Sequence, residues 1–169
     1  MPETALIVAV PEAEPLVGSW RAKHDWSAQR GVPAHVTVLY PFVPTERVDD
    51  RLLGELRELF AMQPSFSFDL PRVARFPDVA WLAPEPSEPF NALTETVVAR
   101  YPDYPPYEGI HDVVIPQLTG AEGDAELQDQ VEAALAEHLP IAAQAKAVGF
   151  MFEGDDGLWR EAHRFPLAG

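Results

Sequence analysis

The sequence of 169 residues contains no cysteine, which excludes disulfide frameworks, thiolate metal sites and a cysteine nucleophile. Lysine is scarce: Lys23 and Lys146 are the only two, and 27 acidic residues outnumber 12 basic ones, giving a net charge of -15. So few cations argue against avid binding of long nucleic acid, which needs many contacts between basic side chains and phosphates. A small phosphorylated ligand, held by a few aimed donors, is compatible with this composition.

Long hydrophobic runs are also missing. The apolar run at residues 4–10 is far shorter than the ~20 residues that span a bilayer, and no basic region precedes it. We therefore expect a cytoplasmic protein with no membrane partner. Hydrophobic residues make up 47% of the chain, and the length suits one domain over residues 1–169, built as two lobes around a shared cleft.

The hydrophobic pattern predicts an α+β fold. Strands are expected at 4–10, 34–40, 66–70, 72–76, 79–83 and 113–119, and a hairpin at 141–165 with its turn at 155–157. Helices are expected at 12–28, 48–62, 87–101 and 124–138. Residues 102–109 are too rich in proline for regular structure and indicate a surface loop.

The order of these elements contains an internal repeat. One half begins with a strand that bears His35 and Thr37, and the other begins with a strand that bears Gln117 and Thr119. Each strand is followed by one helix and further strands, with Trp81 and Trp159 near the two ends. We therefore expect two similar lobes related by a pseudo-two-fold axis.

The polar residues at the start of each half have the spacing of strand neighbours. Side chains at positions i and i+2 of a strand point to one face, so His35 and Thr37 project together, as do Gln117 and Thr119. An imidazole beside a hydroxyl offers a proton carrier next to a phosphate ligand. The alternative is a half-buried strand whose polar face simply meets water.

The segment from Gly31 to Phe42, GVPAHVTVLYPF, resembles the first motif of the 2H phosphoesterase superfamily, which includes the 2'-5' RNA ligase-like and cyclic phosphodiesterase proteins. The segments RFP at 75–77 and WLAP at 81–84 fit the same pattern. The resemblance covers roughly residues 4–167. It implies a bilobal α+β fold in which two antiparallel sheets flank a central cleft, with helices on the outer faces.

The resemblance also implies a reaction. Members of the family carry two His-x-Thr/Ser motifs, one per lobe, that face each other across the cleft. One histidine serves as base and the other as acid, and the two hydroxyls hold the phosphate. The usual reaction opens a 2',3'-cyclic phosphate or cleaves a 2',5' linkage without metal or other cofactor. Here the matching positions are His35, Thr37, Gln117 and Thr119.

Gln117 departs from the family pattern, because the second motif is Gln-Leu-Thr instead of His-x-Thr. A carboxamide donates a hydrogen bond to a phosphate oxygen but does not exchange a proton near pH 7. Three alternatives follow. The cleft hydrolyses small 2',3'-cyclic or 2',5'-linked nucleotides slowly, or it binds a phosphorylated ligand without turnover, or it serves a different reaction of small-molecule metabolism with His35 as the only proton carrier.

Three further residues are candidates for ligand binding. His111 lies six residues before Gln117 and is the obvious candidate to replace the missing histidine; its alternative is an exposed histidine at a loop end. Arg75 lies in a strand predicted to line the first lobe, and a guanidinium suits phosphate; its alternative is a surface ion pair. Tyr107 lies in the proline-rich loop ahead of the second motif, where a lid is expected. Tyr40 is an odd number of residues from His35, so we expect it to face the core.

Overall fold

The computed structural model describes residues 2–110 and 114–169. The strands are β1 (Thr4–Ala9), β2 (His35–Leu39), β3 (Phe66–Leu70), β4 (Val73–Phe76), β5 (Val79–Leu82), β6 (Leu118–Glu122), β7 (Ile141–Ala145), β8 (Ala147–Glu153) and β9 (Trp159–Pro166). The α-helices are α1 (Glu14–His24), α2 (Trp26–Gln29), α3 (Asp50–Ala61), α4 (Glu88–Arg100) and α5 (Ala125–Leu135). Within these described ranges, every helix is too short or too polar to cross a membrane.

The strands form two antiparallel sheets of unequal size, which confirms the predicted fold class. The larger sheet has the strand order β4-β5-β6-β2-β1-β8-β9, and β3 and β7 form a separate pair. The two strands that carry the polar motifs, β2 and β6, are therefore neighbours in the middle of the larger sheet. Val36 of β2 lies opposite Leu118 of β6, and both side chains are fully buried.

Helices α1, α3, α4 and α5 cover one face of the larger sheet. In β1, Leu6 and Val8 belong to the main core, whereas Ala5 and Ile7 belong to a smaller apolar cluster. Because alternate residues of a strand point to opposite faces, the two clusters lie on opposite sides of the sheet. The buried hydrophobic residues of α1, α3, α4 and α5 all belong to the main core. The face with the smaller cluster is therefore the face on which a ligand can approach.

The predicted repeat is present, but each half begins one strand earlier than the sequence suggests. The order β1-α1-β2-α3-β3-β4 recurs as β5-α4-β6-α5-β7-β8. As a pseudo-two-fold axis requires, β2 pairs with β6 and β3 pairs with β7, and α1 contacts β6 while α4 contacts β2. The final strand β9 falls outside the repeat. Trp81 on β5 and Trp159 on β9 therefore do not occupy equivalent places, contrary to the match drawn from the sequence.

The helix predicted at 12–28 is interrupted at Asp25. This residue has extended backbone angles (φ -131°, ψ 114°), and its carboxylate accepts a hydrogen bond from the backbone N–H of Ser27. Asp25 is thus the cap of α2, and a capping carboxylate favours the start of a new helix over continuation of the old one. The break turns α2 toward the face of the sheet that carries the small apolar cluster.

The strand predicted at 113–119 begins later than expected, at Leu118. Residues 114–117 have no regular structure, and Pro116 has no backbone N–H to contribute to a ladder. The predicted hairpin at 141–165 is formed by β8 and β9 alone, with Gly157 at φ +79° in its turn, because β7 pairs with β3.

Gly31 brings the loop after α2 against the start of β9. Its φ is +98°, and a Cβ added there would lie 2.8 Å from the backbone oxygen of Trp159. The backbone N–H of Trp159 also donates to the oxygen of Arg30 at 2.7 Å. Only glycine satisfies both this backbone conformation and this close approach.

We predict that Gly31→Ala lowers the free energy of unfolding by about 1–3 kcal/mol, since it places a side chain at a positive φ and against a backbone oxygen. Gly54→Ala is the matched control: Gly54 lies inside α3 with open space around the position of a Cβ, so this change should stabilise by about 0.5–1 kcal/mol. Urea unfolding of both variants measures the difference. Equal changes in the free energy of unfolding for the two variants would contradict the close approach of Gly31 to the backbone oxygen of Trp159.

Candidate functional site

His35 and Thr37 lie half-buried on the ligand-accessible face of β2, while Val36 and Val38 between and beside them are buried in the main core. The two polar side chains therefore project together, as their spacing predicts. In the neighbouring strand, His35 lies opposite Ala9 and Thr37 lies opposite Ile7. His35 and Thr37 are therefore neighbours on the same face of β2, near the centre of the sheet.

Gln117 and Thr119 meet the first motif through the pairing of β2 with β6. Because Val36 and Leu118 are opposite each other and point into the core, the residues on either side of Leu118 point to the other face. Continuing this register by one residue sets Thr119 across from His35. The structure thus brings His35, Thr37 and Thr119 to one face, and Gln117 adjoins them as the residue before β6. The amide oxygen Oε1 of Gln117 is buried, and no described group donates to it.

The imidazole of His35 is held in one tautomer. Its Nδ1 lies 2.7 Å from the backbone oxygen of Pro33, which only accepts hydrogen bonds, so Nδ1 carries the proton. Nε2 then presents a lone pair toward the open face. Burial lowers the pKa of His35 below its usual value of 6.5, and the positive charge of Arg21 acts in the same direction. His35 is therefore neutral near pH 7 and suited to accept a proton.

A buried ion pair holds the loop that leads to His35. Arg21 Nε lies 2.9 Å from Asp25 Oδ2, and each of these side chains is about 3% exposed. The Arg21 guanidinium also donates to the backbone oxygen of Val32, and Glu14 Oε1 accepts from the backbone N–H of Ala34 at 2.6 Å. These contacts tie residues 25–34 to α1 and fix the point at which β2 begins.

Glu122, at the end of β6, adds a second carboxylate beside Asp25. Burial raises the pKa of Glu122 above its usual value, and the nearby charge of Asp25 raises it further. A hydrogen bond from the backbone N–H of Trp26 partly offsets this effect. The two halves of the molecule therefore meet at these carboxylates as well as at the strand pairing.

An apolar pocket of about 210 Å³ opens beside His35 and Thr37. Its walls carry the aromatic rings of Trp26, Tyr40, Tyr107 and Trp159, together with the aliphatic residues Ala5, Ile7, Val32 and Met151. Tyr40 and Trp159 pack edge to face with ring centroids 5.9 Å apart, and the Tyr40 hydroxyl donates to Glu3. The Trp159 indole Nε1 is buried and has no partner among the described residues.

The position of Tyr40 corrects the expectation that it faces the core. Leu6 pairs with Leu39 and Ile7 pairs with Thr37, so Val38 is an extra residue in β2. Such a bulge shifts the alternation of side chains by one place. Val38 and Leu39 are both buried, and Tyr40 turns to the opposite face, where it joins the pocket.

Tyr107 lines the same pocket and forms a side-chain hydrogen bond with Thr37. Tyr107 and Glu108 have positive φ angles of 50° and 57°, uncommon for residues with side chains. The backbone N–H of Tyr107 donates to the oxygen of Tyr40 at 2.7 Å, which anchors this conformation. Burial raises the pKa of the Tyr107 hydroxyl, so this group is protonated at neutral pH.

Arg75 is not part of this site, which corrects its assignment as a ligand contact. Its guanidinium pairs with Glu132 at 2.7 Å and with Asp129 at 2.8 Å, both on α5. Arg75 and its strand partner Ala80 point toward the helix-covered face, away from the motifs. The acids that compete for this arginine come from an element distant in sequence, so strand position alone did not reveal them.

His111 is the remaining predicted ligand contact, and it lies outside the described residues. Two further side chains with suitable chemistry do not line the pocket. His163 lies against Phe150 and Phe165 of the main core, away from the ligand face. Trp81 stacks on Phe76 at 5.0 Å and does not line the pocket. Trp26 was not predicted as a site residue, although the Asp25-x-Ser27 capping pattern that positions it is visible in the sequence.

We predict that Arg21→Met lowers the free energy of unfolding by about 3–5 kcal/mol, because it leaves Asp25 buried without its charged partner. The matched control is Arg164→Met, which breaks the exposed pair with Glu161 and should cost less than about 1 kcal/mol. Urea unfolding measures both. Similar losses for the two variants would show that the loop does not depend on the buried pair.

Over its whole length the chain resembles Escherichia coli LigT complexed with 3'-AMP (TM-score 0.63, 16% identity, 100% of both chains). It also resembles TT0787 of Thermus thermophilus (TM-score 0.66, 19% identity, 100% of this chain and 99% of that chain). No curated protein sequence matches. The family model of the 2'-5' RNA ligase superfamily matches residues 9–157, so the chain belongs to that superfamily of 2H phosphoesterases.

Proposed function

We propose that this protein acts on small 2',3'-cyclic or 2',5'-linked nucleotides by metal-free acid–base catalysis, with His35 as the proton carrier. The observation that supports the proposal is the pairing of Val36 with Leu118, which sets the two motif segments, His35–Thr37 and Gln117–Thr119, side by side. The superfamily consists of phosphoesterases, which supports the reaction class. Structures of LigT complexed with 3'-AMP, NADP+ and ATP support the ligand class.

The proposed roles follow from chemistry and position. The hydroxyls of Thr37 and Thr119 hold two oxygens of one phosphate, with the phosphate above the pairing of β2 and β6. The aromatic pocket beside Thr37 receives the nucleobase, because stacking on aromatic rings stabilises any base without reading its sequence. Tyr107, hydrogen-bonded to Thr37, closes this end of the site.

The missing second histidine limits the rate. When water attacks a 2',3'-cyclic phosphate, a new P–O bond forms and one P–O bond to the ribose breaks. The water loses a proton to a base, and the departing ribose oxygen gains a proton from an acid. His35 performs one of these transfers. Gln117 performs neither, and the loss of one acid–base group slows such a reaction by ~10²–10⁴-fold.

The second candidate function is binding of a phosphorylated ligand without turnover. Gln117 itself favours this candidate, since its amide donates to a phosphate oxygen in a site with half the usual acid–base pair. The geometry of the motifs serves both functions. A comparison of the hydrolytic activity of the parent protein with that of its Gln117→His variant distinguishes the two functions.

We predict that Gln117→His raises the rate of 2',3'-cyclic nucleotide hydrolysis by ~10²–10⁴-fold, because it restores one proton-transfer group. Adding His35→Ala to this variant should remove the gain. Rates of product formation from 2',3'-cyclic AMP at neutral pH measure both effects. Imidazole and carboxamide are similar in volume, so packing should change little.

If Gln117→His gains no activity while the protein stays folded, the hydrolase proposal fails and the binding function takes its place. A gain that survives the loss of His35 would show that another group carries the proton. Lys23→Ala, on the exposed face of α1, is a control that should leave the rate unchanged.

We predict that Thr37→Val and Thr119→Val each weaken the binding of 3'-AMP, since valine keeps the branched shape but removes the hydroxyl that holds phosphate. The expected loss is that of about one hydrogen bond to a charged group, roughly tenfold or more. Isothermal titration calorimetry measures the affinities. Unchanged affinity in both variants would mean that this face does not bind phosphate.

A further inference from the structure

One peptide unit joins the carboxylate of Glu14 to the imidazole of His35. This unit consists of the carbonyl of Pro33 and the N–H of Ala34. Its N–H donates to Oε1 of Glu14 at 2.6 Å, and its oxygen accepts from Nδ1 of His35 at 2.7 Å. The N–H and C=O of a trans peptide unit point in opposite directions, so the carboxylate and the imidazole lie on opposite sides of it.

The same peptide unit is held in place from both ends. Ala34 is fully buried, and its own oxygen accepts from the backbone N–H of Val10 at 2.8 Å. On the other side, the oxygen of Val32 accepts from the buried guanidinium of Arg21 at 3.1 Å. The proline between these residues has a fixed φ. The peptide unit therefore keeps the orientation in which its oxygen meets the imidazole.

The two hydrogen bonds of this peptide unit strengthen each other. A carboxylate that accepts from a peptide N–H makes the carbonyl oxygen of the same unit more negative, because hydrogen bonds in a chain polarise one another. A more negative Pro33 oxygen binds the Nδ1–H of His35 more tightly. It also favours positive charge on the ring, since an imidazolium donates from both nitrogens.

The charged groups around His35 act in both directions. Burial lowers the pKa of His35 most, and the hydrogen bond to Pro33 raises it. Arg21 lowers this pKa, whereas the carboxylates of Asp25 and Glu14 raise it. Asp25 is bound to Arg21 at 2.9 Å, so these two charges oppose each other at the ring. Glu14 lies 3.9 Å from Arg21, and its closer contact is with the peptide unit that bonds the imidazole.

We propose that Glu14 is a positioning residue for His35. Through the peptide unit, its carboxylate keeps the proton of the neutral imidazole on Nδ1 and stabilises the positive charge that the ring gains when Nε2 takes up a proton. The consequence for hydrolysis rests on the proposed function, but the effect on the imidazole requires no substrate. The alternative is an acid in the first turn of α1 that only favours the start of that helix.

The test compares two substitutions of Glu14 in the full chain. Glu14→Gln keeps an oxygen that can accept from the Ala34 N–H but removes the negative charge, and Glu14→Ala removes both. Glu12→Gln is the matched control, since Oε2 of Glu12 accepts from a backbone N–H on β7, that of Gln144, at 3.0 Å. Nitrogen-15 NMR measures the pKa and the tautomer of His35, whose signals are identified by their loss in His35→Ala.

We expect the pKa of His35 to be lower in Glu14→Gln than in the parent protein, because the imidazolium loses a stabilising charge. The Nδ1–H tautomer should persist in Glu14→Gln, whereas Glu14→Ala should show both tautomers. Glu12→Gln should match the parent protein in both respects. Hydrolysis of 2',3'-cyclic AMP by Glu14→Gln should be slower by about tenfold, as when a metal-bound histidine loses its outer partner. The acid limb of its pH profile should move to lower pH.

An unchanged pKa of His35 in Glu14→Gln, or an equal change in Glu12→Gln, overturns the inference. Slower hydrolysis with an unmoved pKa and tautomer also overturns it, since a purely structural contact gives that result. Thermal unfolding checks that each variant is folded, and Glu14→Gln, which is nearly isosteric, decides the matter if Glu14→Ala is unstable.

Failure of the proposed function gives a different pattern. In that case neither the parent protein nor Gln117→His hydrolyses a cyclic nucleotide, or His35→Ala leaves the rate unchanged. The NMR signals of His35 still respond to Glu14→Gln, and the inference about the imidazole stands without the hydrolysis.

Discussion

The pairing of Val36 with Leu118 is the contact on which the arrangement of the site depends. It joins β2 to β6, and with them the two halves of the repeat, through side chains that are fully buried. Because these two residues point into the core, their neighbours on both strands point to the opposite face. A register shift of one residue would send one motif into the core and leave the other on the surface. Burial of two aliphatic side chains thus sets the two polar motifs side by side.

The two halves share an architecture but differ in chemistry. The first half carries His35 with a loop held by the buried Arg21–Asp25 pair, whereas the second carries Gln117 directly after an irregular segment that contains Pro116. The strand β9, outside the repeat, supplies Trp159 to the pocket beside His35. The titratable imidazole and the apolar pocket therefore both lie on the side of the first motif.

Much of this site was visible in the sequence because strand geometry depends on local spacing. His35 and Thr37 are two residues apart, and so are Gln117 and Thr119, which predicts that each pair shares a face. The pattern of apolar residues likewise predicted α3 and the β8–β9 hairpin. These features depend on a few adjacent residues and little else.

The features that the sequence did not reveal depend on contacts between distant segments. Arg75 pairs with acids of α5, more than fifty residues away, and Tyr40 reverses its direction because β2 bulges against β1. The interruption at Asp25 has a local signal, a capping carboxylate, but the apolar residues on both sides still fit one long helix. The bond from the N–H of Ala34 to Glu14 joins residues 20 positions apart and has no linear signature at all.

Protonation of the Glu122 carboxylate and protonation of the His35 imidazole affect the stability of the folded protein in opposite directions. The pKa of Glu122 is raised above 4.5, so the folded state binds more protons than the unfolded chain and this contribution to stability falls as pH rises. The pKa of His35 is lowered below 6.5, so the folded state binds fewer protons and that contribution rises with pH. The Glu122 contribution therefore begins to fall as the pH rises above about 4.5, whereas the His35 contribution begins to fall as the pH drops below about 6.5, so the two groups link stability to pH with opposite signs.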